Sequence, residues 1–205
     1  MIVISLVNPK GGTGKTTCAI NISTCLSLLG YKVVVLDLDP LMNFSEWSIR
    51  YSPSFDIISC DSEKTLTCEI YDAYHNYDYA VIDCSSGSLH MSAISMMQSD
   101  IIIIPLVDSP LDALLMSQLD DFIEIYKMGT PKMIYLLPIG FDTHSYNKLI
   151  ECNRYKVLHR ISHHYNYITS LSHRLSIFDT DILPLKNEIL YLTNKIVRLE
   201  PGSLK

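Results

Sequence analysis

The sequence predicts a doubly wound α/β domain with a mainly parallel sheet and helices on both faces. Apolar runs of strand length alternate with segments of helical periodicity along the 205 residues. That alternation is typical of repeated strand–helix–strand units with right-handed crossovers. Several of the apolar runs lack polar alternation, as expected for strands that are covered on both faces. We assign residues 1–205 to one domain, because the length is that of a single domain.

Each expected strand is an apolar or β-branched run bounded by turn residues. The strands are Ile2–Val7, Lys32–Asp37, Phe55–Ser59, Tyr79–Asp83, Ile101–Pro105, Met133–Pro138 and Lys156–Ile161. The expected helices are Lys15–Leu29, Asn43–Ile49, Glu63–Tyr74, Leu89–Gln98, Leu111–Met128, Tyr146–Asn153, Tyr167–Arg174 and Leu185–Leu199. In the first helix, Ala19, Ile22, Leu26 and Leu29 share one face, and Gly30 is expected to end it.

The segment between the first strand and the first helix has the composition of a phosphate-binding loop. Residues 8–17 read Asn-Pro-Lys-Gly-Gly-Thr-Gly-Lys-Thr-Thr. The glycines let backbone N–H groups turn towards an anion, and the N-terminus of the helix adds its positive dipole end. We expect Lys15 to meet the β- and γ-phosphates and the Thr16 hydroxyl to join a Mg²⁺ shell. The predicted nucleotide-binding residues are Lys10, Gly11, Gly12, Thr13, Gly14, Lys15, Thr16 and Thr17.

Carboxylates follow two further strands at the edge where this loop is expected. Asp37 and Asp39 stand in Asp-Leu-Asp-Pro after the second strand, and Asp83 ends the strand Tyr79–Asp83. Asp39 could face the γ-phosphate and orient water, and Asp83 could hold Mg²⁺ that neutralises phosphate charge. Asp37 is predicted to support the metal site with Thr16 and Asp83. For Asp37 and Asp39, a turn or helix-capping role is the alternative.

These elements together resemble the ParA/MinD family of deviant-Walker ATPases. The resemblance is greatest to small ParA partition proteins without an N-terminal DNA-reading domain, such as ParF. Beyond the loop, it rests on Asp37–Pro40, Tyr79–Asp83, Ser99–Pro105, Ser109–Asp112, Ser176–Asp179 and Lys195–Arg198. It spans nearly the whole chain, and residues 138–156 match least.

The resemblance implies a nucleotide-dependent switch. Lys10 is similar to the family's signature lysine, which reaches the partner's nucleotide across a two-fold dimer, so that ATP binding drives homodimer formation. Asp39 is similar to the carboxylate that positions the attacking water, and Asp83 to the Mg²⁺-linked aspartate. The family implies ATP and Mg²⁺ as ligands, slow ATP hydrolysis with Lys10, Lys15 and Asp39 as catalytic residues, and stimulation by a centromere-binding ParB- or ParG-like partner.

The sequence departs from the family pattern at three places. Leu41 stands where many relatives have glutamine, and Cys84-Ser85-Ser86-Gly87 replaces a more typical Thr-Pro-Pro. Pro138-Ile139 occupies the region of a polar adenine contact in many relatives. These departures bear on base selectivity and hydrolysis rate, whereas the phosphate-binding residues are all present.

Charge is distributed unevenly along the chain. Residues 1–125 hold 5 Lys and Arg against 16 Asp and Glu, whereas residues 126–205 hold 11 against 6. A basic C-terminal part predicts a surface for polyanions, and its family counterpart binds DNA without reading sequence. The candidate DNA contacts are Lys148, Arg154, Lys156, Arg160 and Arg174. A solvated helical face that offsets the acidic half is the alternative.

Other functions are less favoured by the sequence. A ParA-like switch that positions another cellular cargo is one alternative. A MinD-like membrane-bound ATPase is another, but relatives of that kind usually have glycine at Pro9, and the apolar stripe of the last helix also suits packing on the sheet. A cluster-carrying enzyme is another, with Cys84 as its only indication. Neither a membrane-spanning run nor a signal peptide is visible. The resemblance implies a bacterial cytoplasmic protein that associates with the nucleoid when ATP is bound.

Overall fold

The computed structural model describes residues 1–39, 43–48, 53–84, 86, 88–108, 133–152 and 155–199. Its strands are β1 (Ile2–Leu6), β2 (Val33–Asp37), β3 (Asp56–Ser59), β4 (Tyr79–Asp83), β5 (Ile101–Val107), β6 (Met133–Ile139) and β7 (Lys156–Val157). Its helices are α1 (Lys15–Leu28), α2 (Asn43–Ser48), α3 (Glu63–Ala73), α4 (Leu89–Gln98), α5 (Thr143–Cys152), α6 (Tyr165–Ser172) and α7 (Leu183–Val197), with a 3₁₀ turn at Ile177–Asp179.

The doubly wound α/β prediction is confirmed. The strands form one parallel sheet in the order β3-β2-β4-β1-β5-β6-β7. Successive residues of a strand face opposite layers. In β1, Ile4 and Leu6 therefore join a core with α1, α6 and α7, whereas Val3 joins a second core with α3 and α4.

Most element boundaries agree with the predictions to within two or three residues, and β7 is the main exception. Only Lys156 and Val157 pair regularly with β6, and an isolated bridge joins Ile139 to Ile161. Helix α5 begins earlier than predicted because the Asp142 carboxylate accepts a hydrogen bond from the Ser145 N–H at 2.7 Å. The predicted helix Leu111–Met128 lies outside the described residues.

Helix α1 is buried around most of its circumference, so its burial extends beyond the predicted face, of which Ala19, Ile22 and Leu26 are buried. Cys18, Ile20 and Ser23 are all at most 1% exposed. This burial arises because α1 contacts α6, α7 and the 3₁₀ turn as well as the sheet. The predicted face ends early, since Leu29 is 42% exposed.

The predicted stop at Gly30 is confirmed. Its φ is +93°, in the left-handed region that favours glycine. The Gly30 N–H donates to the Ser27 carbonyl at 2.9 Å, and the Tyr31 N–H donates to the Leu26 carbonyl at 3.2 Å. This pair of bonds is a Schellman motif, which satisfies two of the last carbonyls of α1.

The last helix packs in the core, as predicted. Ile189, Leu192 and Ile196 of α7 are at most 1% exposed and belong to the core that contains α1. None of the described helices combines the length and the apolar character that crossing a bilayer requires.

The register of the sheet brings three strand ends to the same level. Asp83 of β4 pairs with Leu6 of β1 on one side and with Asp37 of β2 on the other. Strand β1 lies between β4 and β5, and the chain continues from it towards β2 on one side and later returns to β5 on the other. This is a topological switch point, where open α/β sheets bind ligands at the carboxyl ends of their strands.

We predict that Asn21→Ala destabilises the fold by about 1–3 kcal/mol. Asn21 is fully buried, and its Oδ1 accepts the Ile177 N–H at 2.8 Å, which joins α1 to the 3₁₀ turn. The substitution would leave that buried N–H without an acceptor. Urea unfolding measures the change, with the exposed Asn194→Ala as control. Equal stability of the two variants would contradict the role assigned to Asn21.

Candidate nucleotide-binding site

The loop after β1 is held at its start by Asn8. The Asn8 side chain donates to the Pro105 carbonyl of β5 at 2.8 Å and accepts the Lys10 N–H at 2.9 Å. Asn8 is 6% exposed, so these bonds are shielded from water. The loop is therefore anchored to β5 before its glycines begin, a role that we did not predict for Asn8.

Two glycines allow the loop to turn into α1. Gly12 and Gly14 have φ values of +73° and +88°, which strain any residue with a Cβ. A Cβ at Gly14 would also lie 3.1 Å from the Ile139 side chain. Gly14 is the N-cap of α1 and has no side chain that could accept hydrogen bonds from the first backbone N–H groups of the helix. The first turn of α1 also contains no acidic residue. These N–H groups and the helix dipole thus favour an anion at this end of α1.

The two predicted lysines occupy different positions in the loop. Lys15 is 6% exposed, and its Nζ donates to the Lys10 carbonyl at 3.0 Å. Burial lowers the pKa of Lys15, while the charges of Asp83, Cys84 and Asp39 oppose that shift. Lys10 is half-buried, and its backbone is fixed on both sides by the bonds to Asn8 and Lys15.

Asp83 is a fully buried carboxylate beside this loop. Neither of its oxygens makes a regular hydrogen bond within the described residues, although the Thr16 side chain lies close enough to favour the charged form. Burial raises the pKa of Asp83 to about 7, with Asp37 and Asp39 adding to the rise and Lys15 opposing it. A buried carboxylate without a full set of partners is costly unless a cation joins it.

The described residues can supply only some of the ligands that a Mg²⁺ ion needs. No group of three His, Cys, Asp or Glu side chains within them is arranged to hold a metal. Mg²⁺ bound with a nucleotide usually takes only one or two protein ligands and completes its shell with phosphate oxygens and water. Asp83, which makes no regular hydrogen bond within the described residues, and the neighbouring Thr16 are suitable for that role.

The Asp37 carboxylate accepts hydrogen bonds from the loop that follows it and from helix α2. Its Oδ1 accepts the Asp39 N–H at 3.0 Å, and its Oδ2 accepts the N–H and hydroxyl of Ser45 at 3.0 and 2.9 Å. The turn role that we considered is therefore present. Asp37 joins Asp39 to α2, whereas its metal role stays a prediction. Asp39 lies near enough to Lys15 to act on its pKa, at the edge of the site where the prediction placed it.

A cavity of about 250 Å³ opens beside the phosphate loop. Gly12, Gly14 and Thr17 form one side of it, and Ile139 and Ile161 contribute apolar surface. A further wall comes from the C-terminal third of the chain and includes Ser162, His163, His164 and Tyr167. The sequence did not predict this wall, because its residues are far from the loop along the chain and approach it only in the folded structure.

The four predicted DNA contacts that the structure describes do not all lie on one surface. Lys148, Lys156 and Arg160 lie on or beside α5 and β7, whereas the Arg174 guanidinium donates to the Glu46 carbonyl of α2 at 3.0 Å. Arg160 is also partly engaged, since it donates to the Phe141 carbonyl at 2.8 Å. Arg154 lies outside the described residues.

Aromatic rings and cations alternate on the surface between α5 and α7. Arg160 lies over the ring of Tyr146 at 5.6 Å, and Lys195 over that of Tyr191 at 5.3 Å. The His159 ring lies between the two tyrosines, 6.3 and 5.1 Å from their centroids. We call these five residues the cation–aromatic row. Tyr146, His159, Tyr191 and Lys195 were not predicted, because they are far apart in sequence.

Comparison with known proteins agrees with this geometry. A family model described as "AAA domain" matches residues 1–56, which contain the phosphate loop and Asp39. The maintenance of carboxysome distribution protein A of Halothiobacillus neapolitanus is 30% identical over 134 residues, 63% of this chain and 62% of that protein. An uncharacterised protein of Methanocaldococcus jannaschii is 30% identical over 197 residues, with 72% and 74% covered.

A third sequence relative also aligns with only part of this chain. The sporulation initiation inhibitor protein Soj of Bacillus subtilis is 28% identical over 146 residues, covering 50% of this chain and 57% of Soj. The chain thus matches less than two thirds of the carboxysome distribution protein and of Soj.

Solved structures show the same fold. A plasmid partition protein of Borrelia burgdorferi, described as putative and bound to AMPPNP, superposes with a TM-score of 0.76 at 20% identity, covering 95% of this chain and 99% of that one. MinD of Aquifex aeolicus gives a TM-score of 0.80 at 16% identity, with both chains fully covered. The sequence relatives, together with the phosphate loop and the strand-end carboxylates, show that this chain belongs to the ParA/MinD family of deviant-Walker ATPases.

Proposed function

We propose that the chain is an ATP-dependent positioning switch of the ParA kind that acts on plasmid or chromosomal DNA. The observation that carries this proposal is the buried Asp83 carboxylate, which makes no regular hydrogen bond within the described residues and lies at the same sheet edge as the open N-terminus of α1. The Asp83 carboxylate suits Mg²⁺, and the N-terminus of α1 suits phosphate. The relatives solved with AMPPNP and ATP support the choice of nucleotide.

Hydrolysis follows from the roles that these residues can take. The N–H groups of α1 and the Lys15 ammonium bind the β- and γ-phosphates, and Asp39 orients a water molecule towards the γ-phosphorus. Mg²⁺, when bound beside Asp83 and Thr16, neutralises charge on the phosphate oxygens. Attack by the water breaks the bond between the γ-phosphorus and the bridging oxygen, and releases ADP and phosphate.

Dimerisation is the proposed consequence of ATP binding. Lys10 is half-buried on a loop whose backbone is fixed, and in the proposed dimer its ammonium binds the triphosphate of the second copy. Charge-assisted bonds of this kind are stronger than neutral ones, and they exist only while the triphosphate is present. The ATP-bound homodimer then holds DNA without sequence preference in a bacterial nucleoid, until a ParB- or ParG-like partner stimulates slow hydrolysis.

We predict that Lys10→Ala retains ATP binding by the monomer but forms no ATP-dependent dimer. The Lys10 backbone bonds that fix the loop survive this substitution, whereas the ammonium is lost. Lys15→Ala is the matched comparison, and it should lower ATP affinity at least about tenfold because it removes a charged phosphate contact. Light scattering with Mg-ATP measures the mass, and a dimer of normal stability in Lys10→Ala would refute the cross-subunit role.

We predict that Asp39→Ala lowers ATP turnover by about a hundredfold, in the range typical of lost proton-transfer or water-positioning groups. Nucleotide binding and the ATP-dependent dimer should persist, because Asp39 does not bind the phosphates. Phosphate release measures turnover, with the exposed Asp72→Ala of α3 as control. Unchanged turnover in Asp39→Ala would count against its role in orienting water.

We predict that Lys156→Ala combined with Lys195→Ala weakens DNA retention in the presence of ATP and lowers the salt slope by about 2, one for each lost phosphate contact. Lys195 belongs to the cation–aromatic row, and Lys156 lies at the neighbouring strand β7. Lys32→Ala with Lys64→Ala removes the same charge from exposed positions elsewhere. An equal loss in both double variants would indicate net charge rather than this surface. Vesicle binding without DNA retention would instead favour a membrane-bound switch.

A further inference from the structure

One wall of the cavity beside the phosphate loop is the segment from Ile161 to His164, which is held by hydrogen bonds and close packing. The Ile161 N–H donates to the Pro138 carbonyl at 3.0 Å, and the Gly140 N–H donates to the Ile161 carbonyl at 2.9 Å. His164 caps α6, since its Nδ1 accepts the Asn166 N–H at 3.2 Å. His163 packs closely against Gly140. A Cβ added at Gly140 would lie only 2.6 Å from the Cβ of His163. The segment from Ile161 to His164 therefore has little freedom to move.

Glu188 supplies the remaining attachment of this wall. One oxygen, Oε2, accepts the N–H of Ser162 at 2.9 Å, the hydroxyl of Ser162 at 2.8 Å and the hydroxyl of Tyr167 at 3.1 Å. Both Ser162 and Tyr167 line the cavity, whereas Glu188 lies behind them on α7. A carboxylate that accepts several donors holds them more strongly than a neutral oxygen does.

The Tyr167 hydroxyl is a buried hydrogen-bond donor to Glu188. Tyr167 is 5% exposed, and its hydroxyl also lies 3.2 Å from the Leu185 carbonyl. Burial and the charge of Glu188 raise the pKa of Tyr167, so the phenol keeps its proton and remains a donor. The Glu188 contacts thus join α6, α7 and the Ile161–His164 segment into one unit.

We propose that Glu188 is a positioning residue for the nucleoside half of the bound nucleotide. This inference rests on the proposed function, because it assumes that the phosphates bind at the loop. With the phosphates at the N-terminus of α1, the adjoining cavity is a space that the base can enter. Its volume of about 250 Å³ is below the ~300–1,000 Å³ of pockets that hold whole drug-sized ligands, as expected if it takes only the base. Glu188 touches no ligand and acts by holding Ser162 and Tyr167 in place.

The experiment compares Mg-ATP with Mg-tripolyphosphate, which has the phosphates but no nucleoside. Wild-type protein should bind Mg-ATP more tightly by calorimetry. Glu188→Gln should weaken Mg-ATP binding roughly tenfold, the size expected for lost hydrogen bonds to a charged group, and leave tripolyphosphate binding unchanged. Glu151→Gln removes the same charge from an exposed position on α5 and should change neither affinity.

Tyr167→Phe provides a second variant that keeps the buried ring and removes only the hydroxyl. It should also weaken Mg-ATP selectively, and combining it with Glu188→Gln should cost less than the two separate losses together, since both act on one contact. Equal weakening of both ligands, or no effect in either variant, would overturn the positioning role. Equal wild-type affinity for the two ligands would overturn it while leaving the phosphate site intact. Failure of the wild type to bind either ligand would instead reject the proposed function itself.

Discussion

The site depends on the burial of one carboxylate between two parallel strands. Asp83 ends β4 at the level where β1 gives way to the phosphate loop and β2 ends in Asp37. Burial there raises its pKa to about 7, and no regular hydrogen bond within the described residues compensates it. A cation bound beside Asp83 would relieve this cost, so the buried carboxylate favours binding of a cation at this edge of the sheet.

The neighbouring groups fall into those that hold the site and those that can act on a ligand. Asn8 fixes the loop to β5, and Asp37 fixes Asp39 to α2, so both use their polar atoms on backbone and side-chain partners. Lys15, Asp39 and the N-terminus of α1 remain directed to the same edge. Rigid support of this kind reduces the reorganisation that a reacting phosphate would otherwise require.

The C-terminal third of the chain completes the site from a long sequence distance. Ser162 and Tyr167 reach the loop of residues 8–17 because β6 and α7 place them there, and Glu188 holds them. The same region carries the cation–aromatic row on its outer surface. A change in how α7 packs on α1 would therefore affect both the cavity wall and this row.

The sequence by itself determined the α/β alternation, the phosphate loop and the strand-end aspartates, because these are local patterns of spacing and residue type. It also indicated that Gly30 ends α1, since a left-handed residue is a local requirement. Only the tertiary structure decided that α1 is buried nearly all round, that Asp37 bonds the loop that follows it and α2, and that Arg174 lies apart from Lys156. Those facts arise from contacts between residues far apart in the chain, which neither periodicity nor charge counts contain. Register and packing, not composition, set the surroundings of each side chain.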